Sequence, residues 1–387
     1  MSDKLKKHIV IDATPGINDI RAIKRYCRNL VQEMNELPTE FQIHLLYLGI
    51  KDKNQVPLLQ SPHIEQKLSF IPGKVLTSTW NLFNAPKISK WIKEDYKLIH
   101  FPGGLPYIPC NSSNIITTMH GFVSKYIPQY FSSEILDKLN KNLEIAIKKS
   151  NHFITVSESN KKELMELWDI PQKNITAIPL GISCEFQIYK LNNHQKHSIL
   201  KKYNLPDKPY ILFVGALAPH KNIKNIILAY NKLPESLKQQ NQLLFVGKET
   251  EHCLDYKDLI TSLNITDNVS FVDYIQPGSL DLAYIYNLAK IFVFPSFYEG
   301  WASPPLEAMK CGTPTTVSDI PSLRESTGDN SLYFNPEIPD EISVNIQKLL
   351  EDQKLYDNLR EKGLQFAKQY TWKNCAKKTL ELYKSLL

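Results

Sequence analysis

No apolar run in this sequence approaches the roughly 18 residues that a membrane-spanning helix needs. The opening stretch, MSDKLKKHIVIDATP, is basic and then reads as a short strand. It has neither the apolar core nor the small-residue cleavage site of a secretory signal, so the expectation is a cytoplasmic protein. Cysteine is sparse and scattered: Cys27, Cys110, Cys184, Cys253, Cys311 and Cys375 form no C-x-x-C pair. That excludes a zinc ribbon or a redox dithiol and fits isolated reduced thiols. Four N-x-S/T triplets, at Asn111, Asn174, Asn264 and Asn268, are expected by chance in an Asn-rich chain. Twenty-four prolines and 14 glycines in 387 residues exclude a collagen-like or low-complexity chain.

Several chemistries lack their motifs. There is no G-x-x-x-x-G-K-[ST], so no P-loop, and no G-x-G-x-x-G after the first strand. A G-x-S-x-G nucleophile elbow is absent. No D-x-D occurs, which weakens a divalent-metal sugar-nucleotide site, and no His/Cys/Asp set has metal-ligand spacing. The net charge of +6 is too mild for a nucleic-acid binder. It is uneven: residues 1–185 carry 23 Lys and Arg against 18 Asp and Glu, and the remainder 23 against 22. The basic half favours an anionic ligand or peripheral contact with an anionic membrane. The helical stretch 134–150, with Lys138, Lys141, Lys148 and Lys149 on its polar side, is the candidate membrane face.

What the chain does contain is strand–helix alternation in two blocks. With 42% hydrophobic residues it has apolar material for two cores. HIVIDA (8–13), FQIHLLYL (41–48), KLIHFP (97–102), NIITTMH (114–120), HFITVS (152–157) and NITAIPLG (174–181) read as strands. Helical patterns fall around 20–36, over 134–150 and near 158–168. The polar stretch 186–208 is the expected linker. PYILFVG (209–215) then restarts the alternation as a continuous apolar run, typical of a parallel strand buried on both faces. QLLFVG (242–247), NVSFVDY (268–274), IFVFPS (291–296) and TPTTVS (313–318) follow, and the tail is helical. The fold class is therefore α/β, with parallel-sheet domains over 1–185 and 209–370. In such sheets ligands sit beyond the carboxyl ends of the strands.

Three stretches lie at those ends. In IFVFPSFYEGWASPPLEAMKCG (291–312), Glu299 follows a buried strand, and Pro304 and Pro305 suit a helix start. Glu307 is expected in the first turn. The loop Gly300-Trp301-Ala302-Ser303 would present backbone N–H groups as an anion site. A helix merely opened by prolines, with two acids near its dipole, reads the same way. In FVGALAPHKNIKN (213–225), Gly215 ends a strand, and His220 and Lys221 precede a helix. Lys221 could neutralise a phosphate as a point charge or simply cap a turn in solvent. In TTMHGF (117–122), His120 ends a strand and is either a site residue or a buried structural histidine.

Together these stretches resemble glycosyltransferase family 4, the retaining sugar-nucleotide transferases of GT-B fold. The family pattern FPSxxEGxxxPxLEAMxxGTPxxxS reads here FPSFYEGWASPPLEAMKCGTPTTVS, preceded by VG-x5-KN (214–222) and followed by YTW (370–372). The resemblance implies two Rossmann-like domains facing a central cleft, with the C-terminal helix, 371–387, crossing back to the first. It implies that Glu299 touches the donor sugar and supports positive charge at its anomeric carbon. Gly300, Trp301, Ala302 and Ser303 would lend amides to sugar hydroxyls and phosphate, and Glu307 would hold the ribose hydroxyls. Lys221 would stabilise the leaving diphosphate, with Gly215 and His220 beside it. His120 would line the sugar and acceptor side, while Lys248 and Tyr274 would border the base. No metal and no cofactor beyond the nucleoside diphosphate sugar is implied.

The partners implied are that donor, with GDP-mannose favoured over UDP-sugars, and a glycan or lipid-linked acceptor. Two departures weigh on the phosphate grip. Ala216 and His220 stand where the family often has arginines, with Lys224 as a candidate substitute. Lys24 interrupts a glycine-rich loop (AIKRY, 22–26). A non-catalytic GT-B partner protein, and a GT-B epimerase or phosphorylase, are the readings of other class.

Overall fold

The computed structural model describes residues 7–18, 22–105, 107–110, 112, 114–250, 253–276 and 279–387. The basic stretch 1–6, the start of the 20–36 helical pattern and Asn111 lie outside them. The chain divides into two units. The first is Met1–Ser124, Phe131–Gly181 and Thr371–Leu387; the second is Lys125–Tyr130 and Ile182–Tyr370.

The first unit is built on seven strands: β1 (Lys7–Asp12), β2 (Phe41–Leu48), β3 (Ile64–Ser69), β4 (Tyr96–Phe101), β5 (Asn114–Met119), β6 (His152–Thr155) and β7 (Ile175–Ala177). All pair in parallel, in the order β3-β2-β1-β4-β5-β6-β7. The central strands are apolar on both faces, and Ile9, Val10 and Ile11 are fully buried. One core layer joins Val10, Leu46, Ile99 and Phe101 to Leu76, Trp80, Ile88 and Ile92. Another joins Met119, Phe122, Phe153, Leu164 and Ile175 to Leu143 and Ile147. The helix Trp372–Leu386 packs on the helix Ala22–Glu36, so the last helix belongs to the first unit. Gly181 makes this possible: a Cβ there would lie 2.2 Å from the Trp372 nitrogen.

The second unit has six strands: β8 (Tyr210–Val214), β9 (Gln242–Val246), β10 (Val269–Val272), β11 (Ile291–Phe294), β12 (Thr315–Ser318) and β13 (Ser331–Phe334). They pair in parallel as β10-β9-β8-β11-β12-β13. Phe213, Phe245, Phe292 and Phe294 stack through its core with centroids 5.8–5.9 Å apart. The strand order reverses between β1 and β4 in one sheet and between β8 and β11 in the other. Each reversal opens a crevice at the carboxyl ends.

The 186–208 stretch differs from the linker expected of it. It contains the helix Asn193–Lys202, grouped with the second unit. Asn192 and Gln195 form a reciprocal capping box, and Ile199 and Leu200 are buried. Its few apolar residues left too weak a period to see. The chain passes between units at Gly181/Ile182 instead. The strands β3 and β13 and the helix Gly73–Phe83 were likewise not read from the sequence. Among the described residues no helix is long and apolar enough to cross a membrane.

Candidate active site

In the second unit the site is assembled at the reversal between β8 and β11. Gly215 follows the end of β8 and Gly247 the end of β9, and the two backbones press together. Gly215 N–H donates to the Val246 carbonyl at 2.9 Å, and a Cβ on Gly247 would fall 1.9 Å from the Gly215 oxygen. Only glycine fits there. The short turn Pro219–Lys221 follows, closed by Asn222 in the left-handed region at φ 61°. The Asn222 amide donates to the carbonyls of Pro295, at 3.1 Å, and Pro336, at 2.6 Å. The Phe297 N–H donates to the His220 carbonyl at 3.1 Å. These bonds fasten the turn after β8 to the loop after β11.

Fastening them brings Lys221 and Glu299 together as an ion pair, with side chains 17% and 11% exposed. The Lys221 ammonium also lies 5.6 Å from the Phe294 ring centroid. The two residues expected at opposite poles of the reaction, one at phosphate and one at sugar, therefore pair with each other. Phe297 and Tyr298 beside them stack on Tyr130 and Tyr126 of the same unit, with centroids 5.4 and 5.1 Å apart.

His220 does not supply the missing cation. Burial, helped by the Lys221 charge, pushes its imidazole down to about 3, so it is neutral at physiological pH. Ala216 is exposed, as is Lys224 on the following helix.

Gly300, Trp301 and Ala302 are buried and Ser303 half-buried. The helix Ser303–Lys310 begins with Ala302 as its cap. Pro304 and Pro305 therefore take its second and third positions, and two of the usual N-terminal donors are absent. The amides available to an anion come from Ser303 and the loop before it. The same register corrects the expectation for Glu307. It is the fifth helical residue, outside the first turn, because Ser303 and both prolines come ahead of it. Glu307 is 2% exposed and accepts a bond from the Tyr286 hydroxyl at 3.0 Å. Trp301 is 8% exposed and its ring meets Tyr370 at 5.3 Å. Its buried indole N–H has no partner among the described residues. Lys248 and Tyr274 sit in the exposed loops after β9 and β10; the Lys248 carbonyl accepts from Leu217 N–H at 3.0 Å.

In the first unit His120 follows β5 and is half-buried. Its Nε2 lies 2.8 Å from the Pro102 carbonyl, which can only accept, so the proton is on Nε2. The ring stands edge-on to Tyr26 at 5.1 Å. Behind it runs a chain that sequence reasoning missed. The Tyr26 hydroxyl meets Thr118 Oγ1 at 3.2 Å, Thr118 meets His100 Nε2 at 2.7 Å, and His100 Nδ1 meets the Tyr383 hydroxyl at 2.6 Å. Burial holds the His100 imidazole down to about 3. Asp12, at the end of β1, is also buried. It accepts from Thr14 N–H at 3.1 Å and the Tyr107 hydroxyl at 3.3 Å, and burial raises its carboxyl to about 6. Lys24 donates to the Ile17 carbonyl at 3.3 Å. Asn222 fell within the quoted VG-x5-KN pattern but was given no role, and no sequence signal marked Asp12 or His100 apart from their places near strand ends.

Among the described residues no group of three or more His, Cys, Asp and Glu could hold a metal ion.

Residues 195–366 match the family model described as glycosyl transferases group 1, and residues 23–186 match glycosyltransferase family 4. The chain is 28% identical to the O-antigen chain mannosyltransferase B of Escherichia coli, over 97% of this chain and all of that one. It is 33% identical to the serotype-specific mannosyltransferase WbdA of Escherichia coli over 64% of this chain, which spans 30% of that longer protein. Its fold superposes on sucrose-phosphate synthase from Thermosynechococcus elongatus with a TM-score of 0.73 at 22% identity, covering 98% and 99% of the two chains.

Proposed function

We propose that this chain, which belongs to glycosyltransferase family 4 and is a hexosyltransferase of GT-B fold, moves mannose from GDP-mannose to a glycan or lipid-linked glycan with retention of anomeric configuration. The observation that carries the reading is the Lys221–Glu299 pair at the β8/β11 reversal, beside the amides of residues 300–303. The full-length likeness to an O-antigen chain mannosyltransferase supports mannose and a polysaccharide acceptor.

Breaking a glycosyl–phosphate bond builds negative charge on the diphosphate and positive charge at the anomeric carbon. A cation and preorganised amides stabilise the first electrostatically, without need of a metal. Lys221 is the cation, and Ser303 with the preceding loop provides the amides. Glu299, on the other side of the pair, supports the sugar's positive charge. The Tyr286 hydroxyl orients Glu307, the carboxylate assigned to the ribose hydroxyls. His120, its Nε2–H held on the Pro102 carbonyl, is the first unit's candidate for a sugar or acceptor hydroxyl.

Thermal shift and slow donor hydrolysis across GDP-mannose, UDP-glucose, UDP-galactose and UDP-N-acetylglucosamine, with and without EDTA, test this reading. Stabilisation and turnover by GDP-mannose alone, unchanged by EDTA, are expected. Response to a UDP-sugar instead would overturn the donor, and EDTA sensitivity would overturn the metal-independent step. Unchanged turnover in Glu299→Ala and Lys221→Ala would overturn the roles.

A further inference from the structure

The basic helix Ser133–Lys149 is a poor membrane face. Leu143, Ala146 and Ile147 are spent on the core, and Glu134, Asp137 and Glu144 are exposed among its lysines. The helix Gly73–Phe83 is different. Leu76 and Trp80 anchor it in the core, yet Val75, Leu82 and Phe83 are 50%, 74% and 73% exposed. Val75 and Leu82 are seven residues apart, on one face and about 10 Å apart along the axis. Phe70, just ahead of the helix, is 60% exposed. Large apolar side chains gathered this way on one short segment are unusual for a free surface.

The chain around them is mainly basic, with Glu94 and Asp95 directly after Lys93 and Asp52 on the loop whose Gly49 packs against Gly73. From Phe70 to Lys93 the chain has four lysines, Lys74, Lys87, Lys90 and Lys93, and no Asp or Glu. All four lysines are exposed. Ile88 and Ile92 are buried between them, and the Lys90 ammonium lies 6.0 Å from the Trp91 ring centroid. An apolar stripe flanked by a mainly basic segment matches anionic headgroups above hydrocarbon. A second copy of the same face would bring like charges together.

We propose that Phe70, Val75, Leu82 and Phe83, with the lysines around them, dock this protein on an anionic lipid bilayer, the apolar side chains entering the boundary between headgroups and acyl chains. The inference goes beyond the transfer reaction and holds whichever sugar is moved. The helix follows β3, so the face begins at the carboxyl edge of the first sheet, where a ligand of that unit would bind.

Flotation of the full chain with phosphatidylethanolamine–phosphatidylglycerol vesicles (3:1), against pure phosphatidylcholine vesicles, tests it. Binding to the anionic vesicles is expected, weaker by at least tenfold on phosphatidylcholine and clearly weaker at 300 mM than at 50 mM salt. Leu82→Asp/Phe83→Asp should weaken it by at least tenfold, and Lys87→Gln/Lys90→Gln by several-fold. Melting temperature and donor hydrolysis should be unchanged in both variants. Lys138→Gln/Lys141→Gln should bind like the parent. No flotation with anionic vesicles, or full flotation of both docking-face variants, overturns the proposal. So does loss of binding in the Lys138/Lys141 variant alone. A dimer in light scattering that Leu82→Asp/Phe83→Asp dissolves would also overturn it, by showing that a second copy covers the face.

Discussion

Replacing Glu299 by Gln should separate binding from catalysis. The carboxylate and the Lys221 ammonium form an ion pair with side chains 11% and 17% exposed. At that depth an effective dielectric near 20 applies, and unit charges ~4 Å apart interact by ~4 kcal/mol. A diphosphate arriving at Lys221 in the parent protein meets an ion pair. In Glu299→Gln it meets a whole positive charge. Solvent and the lysine stem relax into the change, so about a third of that energy should reach the ligand, roughly 1.4 kcal/mol or tenfold tighter binding. The sugar's positive charge loses its carboxylate, so turnover should fall ~10²–10³-fold, the scale of losing one preorganised electrostatic group. Calorimetric titration with GDP and initial rates with the donor read the two effects separately. Lys221→Met should weaken GDP, and Glu299→Gln/Lys221→Met should bind like Lys221→Met alone. If Glu299→Gln folds normally yet binds GDP no better than the parent, the pair does not face the diphosphate, and the charge reasoning fails.

Asn222→Ala leaves the Pro295 carbonyl without its amide and puts alanine at φ 61°. Unfolding in urea should show a loss of ~2–3 kcal/mol, with Asn222→Gly recovering about 1 kcal/mol through the backbone alone. Tyr383→Phe orphans Nδ1 of the fully buried His100 and should cost ~1–3 kcal/mol in the same assay. Stability should also fall in mild acid. His100 and His220 are pushed down to about 3 and His152 to about 4, so below the unfolded value of about 6.5 the unfolded chain binds more protons at these sites. Stability therefore rises with pH between about 4 and 6.5. Asp12, raised to about 6, has the opposite sign and offsets one proton, because the folded form holds its proton longer. The balance is a loss of roughly 2–4 kcal/mol from pH 6.5 to pH 5, and His100→Gln should flatten it by about one proton. A flat urea midpoint over that range would refute the buried-neutral assignment.

The apolar runs and their alternation with helices were enough to read two parallel-sheet domains, because a strand buried on both faces needs a continuous hydrophobic segment whatever surrounds it. PYILFVG and IFVFPS became β8 and β11 with their boundaries nearly unchanged. The strand-end rule then placed Lys221 and Glu299 at a candidate site, since chain order alone puts each just past a buried strand. Their contact was not legible. It depends on β8 and β11 being neighbours and on the Asn222 bridge to Pro295, residues 73 positions apart. The depth of Glu307 turned on which residue capped the helix. The neutral state of His220 turned on burial, which residue type does not encode. The helix Asn193–Lys202 escaped notice because it carries little apolar signal. The surface around Leu82 escaped it because the helix Gly73–Phe83 was itself not read, and only tertiary packing decides which of its faces the core takes and which is left to the solvent.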